Sequence, residues 1–131
     1  MYIPPGFGTV TPYIFAQDAQ RLVDFLLAGL GGRETCRTMR SDGKVANCQV
    51  LIGDTTVMVS EATERFQPSR SAFYLYVADA DEAMKQAIDA GAVLVMTVAD
   101  MPYGDRQGGV ADPSGNIWWI SQRLLEEPYS D

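Results

Sequence analysis

The side chains that could carry nucleophilic or metal chemistry lack partners in this sequence. Ser60, Ser71 and Ser121 have no histidine to activate them, because the 131 residues contain none. The acidic residues fall mainly at predicted helix starts, at turns and in the C-terminal tail. Cys36 and Cys48 lack the spacing of a redox or zinc pair and are interpreted as small apolar side chains in or near neighbouring strands. The sequence therefore predicts no catalytic residue.

The composition restricts the class of protein. Hydrophobic residues make up 47% and charged residues 21%, as in an ordinary globular domain. Seventeen acidic against ten basic residues give a net charge of −7, which argues against a nucleic-acid partner. The apolar runs are far shorter than the ~20 residues of a bilayer span, and the N-terminus does not resemble a signal peptide. We expect a cytoplasmic protein with no membrane partner and a single domain over residues 1–131.

The chain repeats itself after about 61 residues. Residues 13–19 (YIFAQDA) parallel residues 74–80 (YLYVADA), and each segment reads as an apolar strand running into an acidic residue. We expect Asp18 and Asp79 to cap the helices that follow. Apolar residues at helical spacing predict a first helix from residue 19, ended by Gly29, Gly31 and Gly32, and a second from residue 80, ended by Gly91.

Three short β-type segments follow each helix. They cover about 34–40, 45–52 and 55–60 in the first half, and about 92–98, 108–111 and 116–122 in the second. The predicted fold class is α+β, with two βαβββ repeats at about 9–60 and 71–122, a linker at 61–70 and a C-terminal tail at 123–131. We expect the repeats to form a curved mixed sheet around a concave groove, with the helices on the convex side.

Four segments carry a resemblance to a known family: 11–14 (TPYI), 18–25 (DAQRLVDF), 52–54 (IGD) and, above all, 103–119 (YGDRQGGVADPSGNIWW). Together they resemble the glyoxalase, bleomycin-resistance and extradiol dioxygenase superfamily, also called vicinal oxygen chelate, and within it the PhnB-like branch. The resemblance extends over nearly the whole chain. It implies the same two βαβββ repeats and a homodimer.

Enzymes of this superfamily hold a divalent metal with His, Gln or Glu on the first and last strands of each repeat. By the resemblance, the first-strand positions fall on Thr11 and Ala72, and the last-strand positions fall on Val57 and Trp119. None of the four is a usual ligand for a catalytic divalent ion. We therefore expect no metal and no cofactor, which favours a protein that is not an enzyme.

If the metal positions face the groove, strand alternation defines its other wall residues. The candidate ligand-binding residues are Tyr13, Phe15, Asn47, Gln49, Val57, Tyr74, Tyr76, Tyr103, Arg106 and Trp119. This aromatic, nearly uncharged lining suits a planar or cationic ligand. Other interpretations stay open: the aromatic residues pack in a core or a dimer seam, Asn47 and Gln49 form an ordinary polar strand face, and Tyr103, Asp105 and Arg106 brace their loop.

The leading hypothesis is a metal-independent protein that binds and sequesters a small aromatic or cationic molecule. The alternative is a glyoxalase-type lyase, isomerase or dioxygenase with an unconventional site. A third hypothesis is an accessory protein whose groove is filled by another protein. The resemblance alone supports the enzymatic alternative, and one fold hosts many functions.

Overall fold

The computed structural model describes residues 1–130 in two compact units, Met1–Ser69 and Arg70 onward. The first unit contains β1 (Tyr13–Ala16), α1 (Ala19–Leu30), β2 (Arg33–Met39), β3 (Val45–Ile52) and β4 (Thr55–Glu61). The second contains β5 (Ala72–Tyr76), α2 (Ala80–Asp89), β6 (Val93–Asp100), β7 (Asp105–Ala111) and β8 (Ile117–Arg123). The predicted α+β class with two βαβββ repeats is confirmed.

Each repeat forms a mixed four-stranded sheet, in the order β1-β4-β3-β2 in the first and β5-β8-β7-β6 in the second. The first and last strands of a repeat run parallel, and its other neighbouring strands are antiparallel. Tyr13 pairs with Met58 in the first sheet, and Tyr74 pairs with Trp119 in the second. The first and last strands therefore pair at equivalent positions in the two repeats.

Helix α1 covers one face of the first sheet. Its side chains Leu22, Val23 and Leu26 are fully buried, as are Val50 and Val59 in the sheet. The helix ends where Gly31 takes a left-handed conformation with φ of 70°. Gly29, predicted among the glycines that end the helix, lies inside it, because its missing side chain leaves room for the ring of Phe25.

The N-terminus of α1 is held by a residue from the end of its own sheet. The prediction that the side chain of Asp18 caps this helix is wrong, because Asp18 adopts φ of 59° and its carboxylate makes no cap hydrogen bond. Glu61 at the end of β4 accepts hydrogen bonds from the backbone N–H groups of Asp18 and Ala19, both at 2.9 Å. Glu61 therefore belongs to the last strand of the repeat and not to the predicted linker.

In the second repeat the cap prediction for Asp79 is confirmed, since its carboxylate accepts a hydrogen bond from Glu82 N at 3.1 Å. Gln122 adds a second bond by accepting from Ala80 N at 3.0 Å, so it holds α2 as Glu61 holds α1. Met84 of α2 packs against Gly108, where a side chain would meet its thioether. Neither helix within residues 1–130 has the length and apolar character needed to cross a membrane.

Candidate functional site

Each sheet has one face covered by its helix and one face directed away from it, which we call the helix-free face. In the first sheet β1 presents Tyr13 and Phe15 on the helix-free face, while Ile14 between them is buried with the helix. The rings of Tyr13 and Phe15 stack at 4.9 Å, and Phe15 stacks on Phe66 at 5.5 Å. Arg65 lies 5.2 Å from the centre of the Phe66 ring. The sequence identified Tyr13 and Phe15 but not Phe66.

Tyr13 is fixed by a hydrogen bond as well as by stacking. Ser60 Oγ donates to the carbonyl of Ala46 at 2.5 Å, so the hydroxyl of Tyr13 donates to Ser60 Oγ across 2.7 Å. This places the polar end of the tyrosine over β4 and leaves its ring partly accessible. The first sheet therefore offers a rigid aromatic surface with a satisfied hydroxyl.

A cavity of about 540 Å³ opens beside this surface, within the first unit. The segment 2–9 forms one wall, and Thr11, Gln49 and Met58 form the other. Asn47 and Gln49 lie on one face of β3, joined by a 3.3 Å hydrogen bond, and only Gln49 reaches the cavity. Of the sequence-predicted site residues, Gln49 alone lines it. The contribution of segment 2–9 was missed because it carries no periodic pattern.

The prediction that Val57 shares the face of Tyr13 is wrong. Val57 is 3% exposed and belongs to the core beneath α1, and the same holds for Val59. The residue that pairs with Tyr13 is Met58, just as Trp119 pairs with Tyr74. The error arose from aligning Gly53 with Gly115, since the shared strand register matches Gly115 with Asp54. A shift of one residue sends every side chain to the opposite face of the sheet.

The second sheet carries the larger aromatic surface on its helix-free face. Tyr74 and Tyr76 of β5 have their rings 5.5 Å apart, and Trp119 of β8 pairs with Tyr74. Trp119 also covers Gly109 of β7, where a side chain would collide with the indole. Trp118 points the other way and is buried against the helix. The predicted orientations of Tyr74, Tyr76 and Trp119 are therefore confirmed, whereas their contact with a ligand stays a prediction.

A hydrogen-bonded chain runs beneath these rings. Tyr103 donates its hydroxyl to Gln107 Oε1, and Gln107 Nε2 donates to Ser121 Oγ. Burial and a hydrogen bond with Tyr74 raise the pKa of Tyr103 to about 12. Gln107 and Ser121 are almost completely buried. These hydrogen bonds therefore anchor the Tyr103 side chain to strands β7 and β8. Tyr103 thus lies beside the aromatic surface, and its contact with a ligand stays a prediction.

Arg106 does not lie on this face. It belongs to β7 and pairs with Gln122 on the helix side, where its guanidinium contacts Asp81 at 2.8 Å and Asp100 at 2.9 Å. The hydrogen bonds that Arg106 donates to these two carboxylates raise its pKa further above its usual value. Arg106 ties α2 to the β6–β7 hairpin, which corresponds to the bracing interpretation rather than to contact with a ligand.

A second polar cluster on the helix-free face contains Asp105, which the sequence analysis placed in a loop, together with Arg123 and Tyr129, which it did not select. Asp105 is fully buried, accepts a hydrogen bond from Arg123 Nη1 at 3.0 Å and another from the hydroxyl of Tyr129 at 2.6 Å. The Tyr129 oxygen also shares a 2.8 Å hydrogen bond with Tyr76, and the Arg123 guanidinium lies 4.1 Å from the Tyr129 ring centre. The hydrogen bond to the Asp105 carboxylate and, as a smaller effect, the hydrogen bond with Tyr76 raise the pKa of the Tyr129 hydroxyl.

The alternation of β7 was a usable signal for part of this cluster. Asp105, Gln107 and Gly109 alternate on the helix-free face, so placing the start of β7 at residue 105 instead of 108 would have revealed the carboxylate. The approach of Tyr129 from the tail gives no local signal. Long-range contacts of an irregular segment cannot be inferred from strand or helix periodicity.

The metal positions of the resembled enzymes can be tested against the side chains present. With the corrected register they are Thr11 and Met58 in the first repeat, and Ala72 and Trp119 in the second. A hydroxyl, a thioether, a methyl group and an indole do not make a ligand set for a catalytic divalent ion, so these residues do not fit one. Within residues 1–130, no group of three or more His, Cys, Asp or Glu side chains is placed to hold a metal.

Comparison with known proteins agrees with the fold. The family model described as "Glyoxalase/Bleomycin resistance protein/Dioxygenase superfamily" matches residues 6–120. An uncharacterized protein of Mycobacterium tuberculosis is 29% identical over 128 residues, which cover 89% of this chain and 75% of that relative.

Among solved structures, TioX from Micromonospora sp. ML1 superimposes with a TM-score of 0.76 at 27% identity, covering 89% of this chain and all 100% of the other. TnmS3 from Streptomyces sp. CB03234, described as an antibiotic binding protein, gives a TM-score of 0.72 at 21% identity, covering 94% of this chain and 98% of the other. The second likeness is one of fold alone.

Proposed function

The chain belongs to the glyoxalase, bleomycin resistance protein and dioxygenase superfamily, and from that premise we propose that it binds a small planar aromatic or cationic molecule without using a metal. The observation that carries the proposal is the helix-free face of the second sheet, where Tyr74, Tyr76 and Trp119 form an accessible aromatic surface. Two of these side chains stay about half exposed, Tyr74 at 47% and Tyr76 at 57%.

The chemistry of this surface favours binding over transformation. Aromatic rings offer large apolar area and attract cations through their faces. Gly109 leaves space for Trp119 to lie across β7, and the buried chain through Gln107 fixes Tyr103 beside it. A surface held in this way loses little conformational entropy when a flat ligand stacks on it. That TnmS3 binds an antibiotic supports the capacity of this fold to hold a small molecule.

Two single-tryptophan variants test the proposal with proflavine, a planar cation, and a panel of neutral aromatic compounds. Trp118→Phe leaves Trp119 as the only indole, and we expect its fluorescence to be quenched as ligand is added. Trp119→Phe leaves the buried Trp118, and we expect weaker binding and little quenching. If no compound changes the fluorescence or the heat of titration of the wild-type protein, the proposal is wrong.

The enzymatic alternative of a glyoxalase-type lyase, isomerase or dioxygenase makes a different prediction. It requires a catalytic ion, so elemental analysis of protein purified without chelator should find a stoichiometric divalent metal. The corrected donor set of Thr11, Met58, Ala72 and Trp119 does not support that result. Within the superfamily, we propose the PhnB-like branch on the segment 103–119 alone.

We further propose that the chain forms a homodimer. The edge strand β6 supports this, because Val93, Leu94 and Val95 are 66%, 53% and 46% exposed there. Exposed apolar edge strands favour pairing with another chain. Sedimentation equilibrium should give twice the 14.3 kDa mass of one chain. Val93→Lys should shift it toward one chain, and a wild-type monomer at micromolar concentration would contradict the proposal.

A further inference from the structure

We infer that Asp105, Arg123 and Tyr76 form a subsite for a phenolic hydroxyl, and that Tyr129 of the chain's own tail occupies this subsite when no ligand is bound. The inference rests on the proposed binding function and narrows it to aromatic compounds that carry a hydroxyl group. It is carried by the contacts that surround the Tyr129 side chain, all of which lie within the second unit.

The buried carboxylate is the first part of the subsite. Asp105 begins β7 opposite Arg123 of β8, and its side chain lies on the helix-free face with no exposed surface. Arg123 satisfies one of its oxygens at 3.0 Å. The other oxygen accepts only from Tyr129 among the hydrogen bonds described for residues 1–130. A buried carboxylate oxygen needs such a donor, because an unsatisfied one is costly.

The surroundings of Tyr129 fit a phenol in three respects. Its ring lies against the Arg123 guanidinium at 4.1 Å, its hydroxyl donates to Asp105 at 2.6 Å, and its oxygen can accept from the hydroxyl of Tyr76 at 2.8 Å. These are a face contact, a donor contact and an acceptor contact on one planar group. The aromatic surface of Tyr74 and Tyr76 continues beside them, with ring centres 5.5 Å apart.

Apart from the contacts of Tyr129, two hydrogen bonds within residues 1–130 hold the segment that brings this residue into place. Residues 124–130 form neither helix nor strand. Leu124 N donates to Gly104 O at 2.9 Å, and Arg123 Nη2 donates to the carbonyl of Glu127 at 2.7 Å. Leu124, Leu125 and Tyr129 are each close to half exposed. Tyr129 can therefore be exchanged for a ligand without breaking the sheet or the helix.

The charges select among aromatic ligands. A phenol donates to the Asp105 carboxylate in a charge-assisted hydrogen bond. An aryl methyl ether cannot donate, so it would leave the carboxylate oxygen unsatisfied. An aromatic carboxylate would meet the negative charge of Asp105, and an aromatic ammonium would meet the positive charge of Arg123. A neutral hydroxyl on a flat ring is the group that suits both residues.

A matched pair of probes, 2-naphthol and 2-methoxynaphthalene, tests the subsite by calorimetric titration of the full chain. We expect the wild-type protein to bind the phenol about tenfold more tightly than the ether, the usual effect of one hydrogen bond to a charged group. Tyr129→Ala should raise the affinity for the phenol severalfold, because a competing occupant reduces the apparent affinity to the intrinsic affinity multiplied by the fraction of sites left free. Asp105→Asn should abolish the preference for the phenol.

Control variants separate the subsite from general effects. Glu127→Ala keeps the main-chain carbonyl that accepts from Arg123 and should leave both affinities unchanged. If Asp105→Asn does not fold, Arg123→Lys replaces it, because lysine keeps the charge but loses the planar contact with the ring, and the phenol should then bind several times more weakly.

The possible outcomes distinguish the subsite from the proposed function. Equal binding of the two probes, or a Tyr129→Ala variant whose phenol affinity is unchanged or reduced, overturns the subsite even if proflavine binds. Binding of proflavine without either naphthalene compound also overturns the subsite alone. If no planar compound binds to either the wild-type protein or the Tyr129→Ala variant, both proposals are wrong.

Discussion

The indole of Trp119 lies so close over Gly109 on the neighbouring strand that a Cβ atom added to Gly109 would be 2.6 Å from Trp119 Cζ3. On the opposite face, a Cβ atom added to the preceding residue, Gly108, would be 2.7 Å from Met84 Cε of α2. The two consecutive glycines therefore serve two different surfaces. One allows α2 to approach the sheet, and the other allows the tryptophan to lie flat against β7.

Gly109→Ala is expected to displace Trp119 and to lower the free energy of unfolding by about 1–3 kcal/mol, the usual cost of overpacking. Both tryptophans of the chain are in β8, so a change in the fluorescence maximum reports the displacement directly. Gly8→Ala is the matched control, because its added Cβ would be 3.9 Å from the nearest atom, Val10 O. An unchanged emission spectrum in Gly109→Ala would contradict the proposed role of this glycine.

Glu61→Ala is expected to reduce stability by about 1–2 kcal/mol, because two backbone N–H groups at the start of α1 lose their acceptor. Glu61→Gln should recover part of the loss, since its one amide oxygen can still accept one of the two hydrogen bonds, as Gln122 does for α2. Urea unfolding followed by circular dichroism measures both. Equal losses for the two substitutions would show that the contact with α1 is not what matters.

The two cysteines should differ strongly in reactivity. Cys48 is fully buried, and burial raises the pKa of its thiol to about 11, whereas Cys36 is exposed. Because the thiolate is the reactive form, we expect Ellman's reagent to modify one thiol per chain in the native state and the second only after unfolding. Cys36→Ser should remove the fast reaction. A fast reaction that persists in this variant would show that Cys48 is accessible.

Stability should decline at alkaline pH through Tyr103. Its pKa is raised from 10 to about 12 by burial and by its hydrogen bond with Tyr74, so the folded chain holds the proton more tightly than the unfolded chain. This contribution is complete below about pH 10 and is lost as the pH rises toward 12. Denaturant unfolding between pH 8 and pH 11.5 measures the slope. Tyr103→Phe should have a shallower slope, and an identical slope would contradict the assignment.

Much of the fold was predictable because local sequence patterns, such as apolar spacing, helix caps and turns, specify the elements of each repeat. The apolar stripe from Ala19 to Leu30 and the cap at Asp79 identify both helices from neighbouring residues alone. The orientations of Tyr74, Tyr76 and Trp119 followed from strand alternation once the turn before β8 fixed the register. Where a strand lies close in sequence to a turn of unambiguous type, neighbouring residues alone determine the directions of its side chains.

The errors came from one irregular turn and from contacts between residues that are far apart in the sequence. Val57 was assigned to the wrong face because the turns before β4 and β8 differ by one residue in the position of their glycine. Asp18 takes a left-handed conformation that the neighbouring sequence does not predict, and Glu61, not the Asp18 side chain, holds the start of the helix. Tyr129 reaches Asp105 from an irregular tail. None of these three features produces a periodic pattern of apolar and polar residues in the sequence.

The parallel pairing of β1 with β4, and of β5 with β8, closes every strand ladder inside one half of the chain. A polypeptide of half this length would already contain a complete sheet, its covering helix and the residue that fastens one to the other. A substitution in one half therefore leaves the backbone hydrogen bonds between the strands of the other half in place, and the same fastening task is done by the charged Glu61 in one half and by the neutral Gln122 in the other.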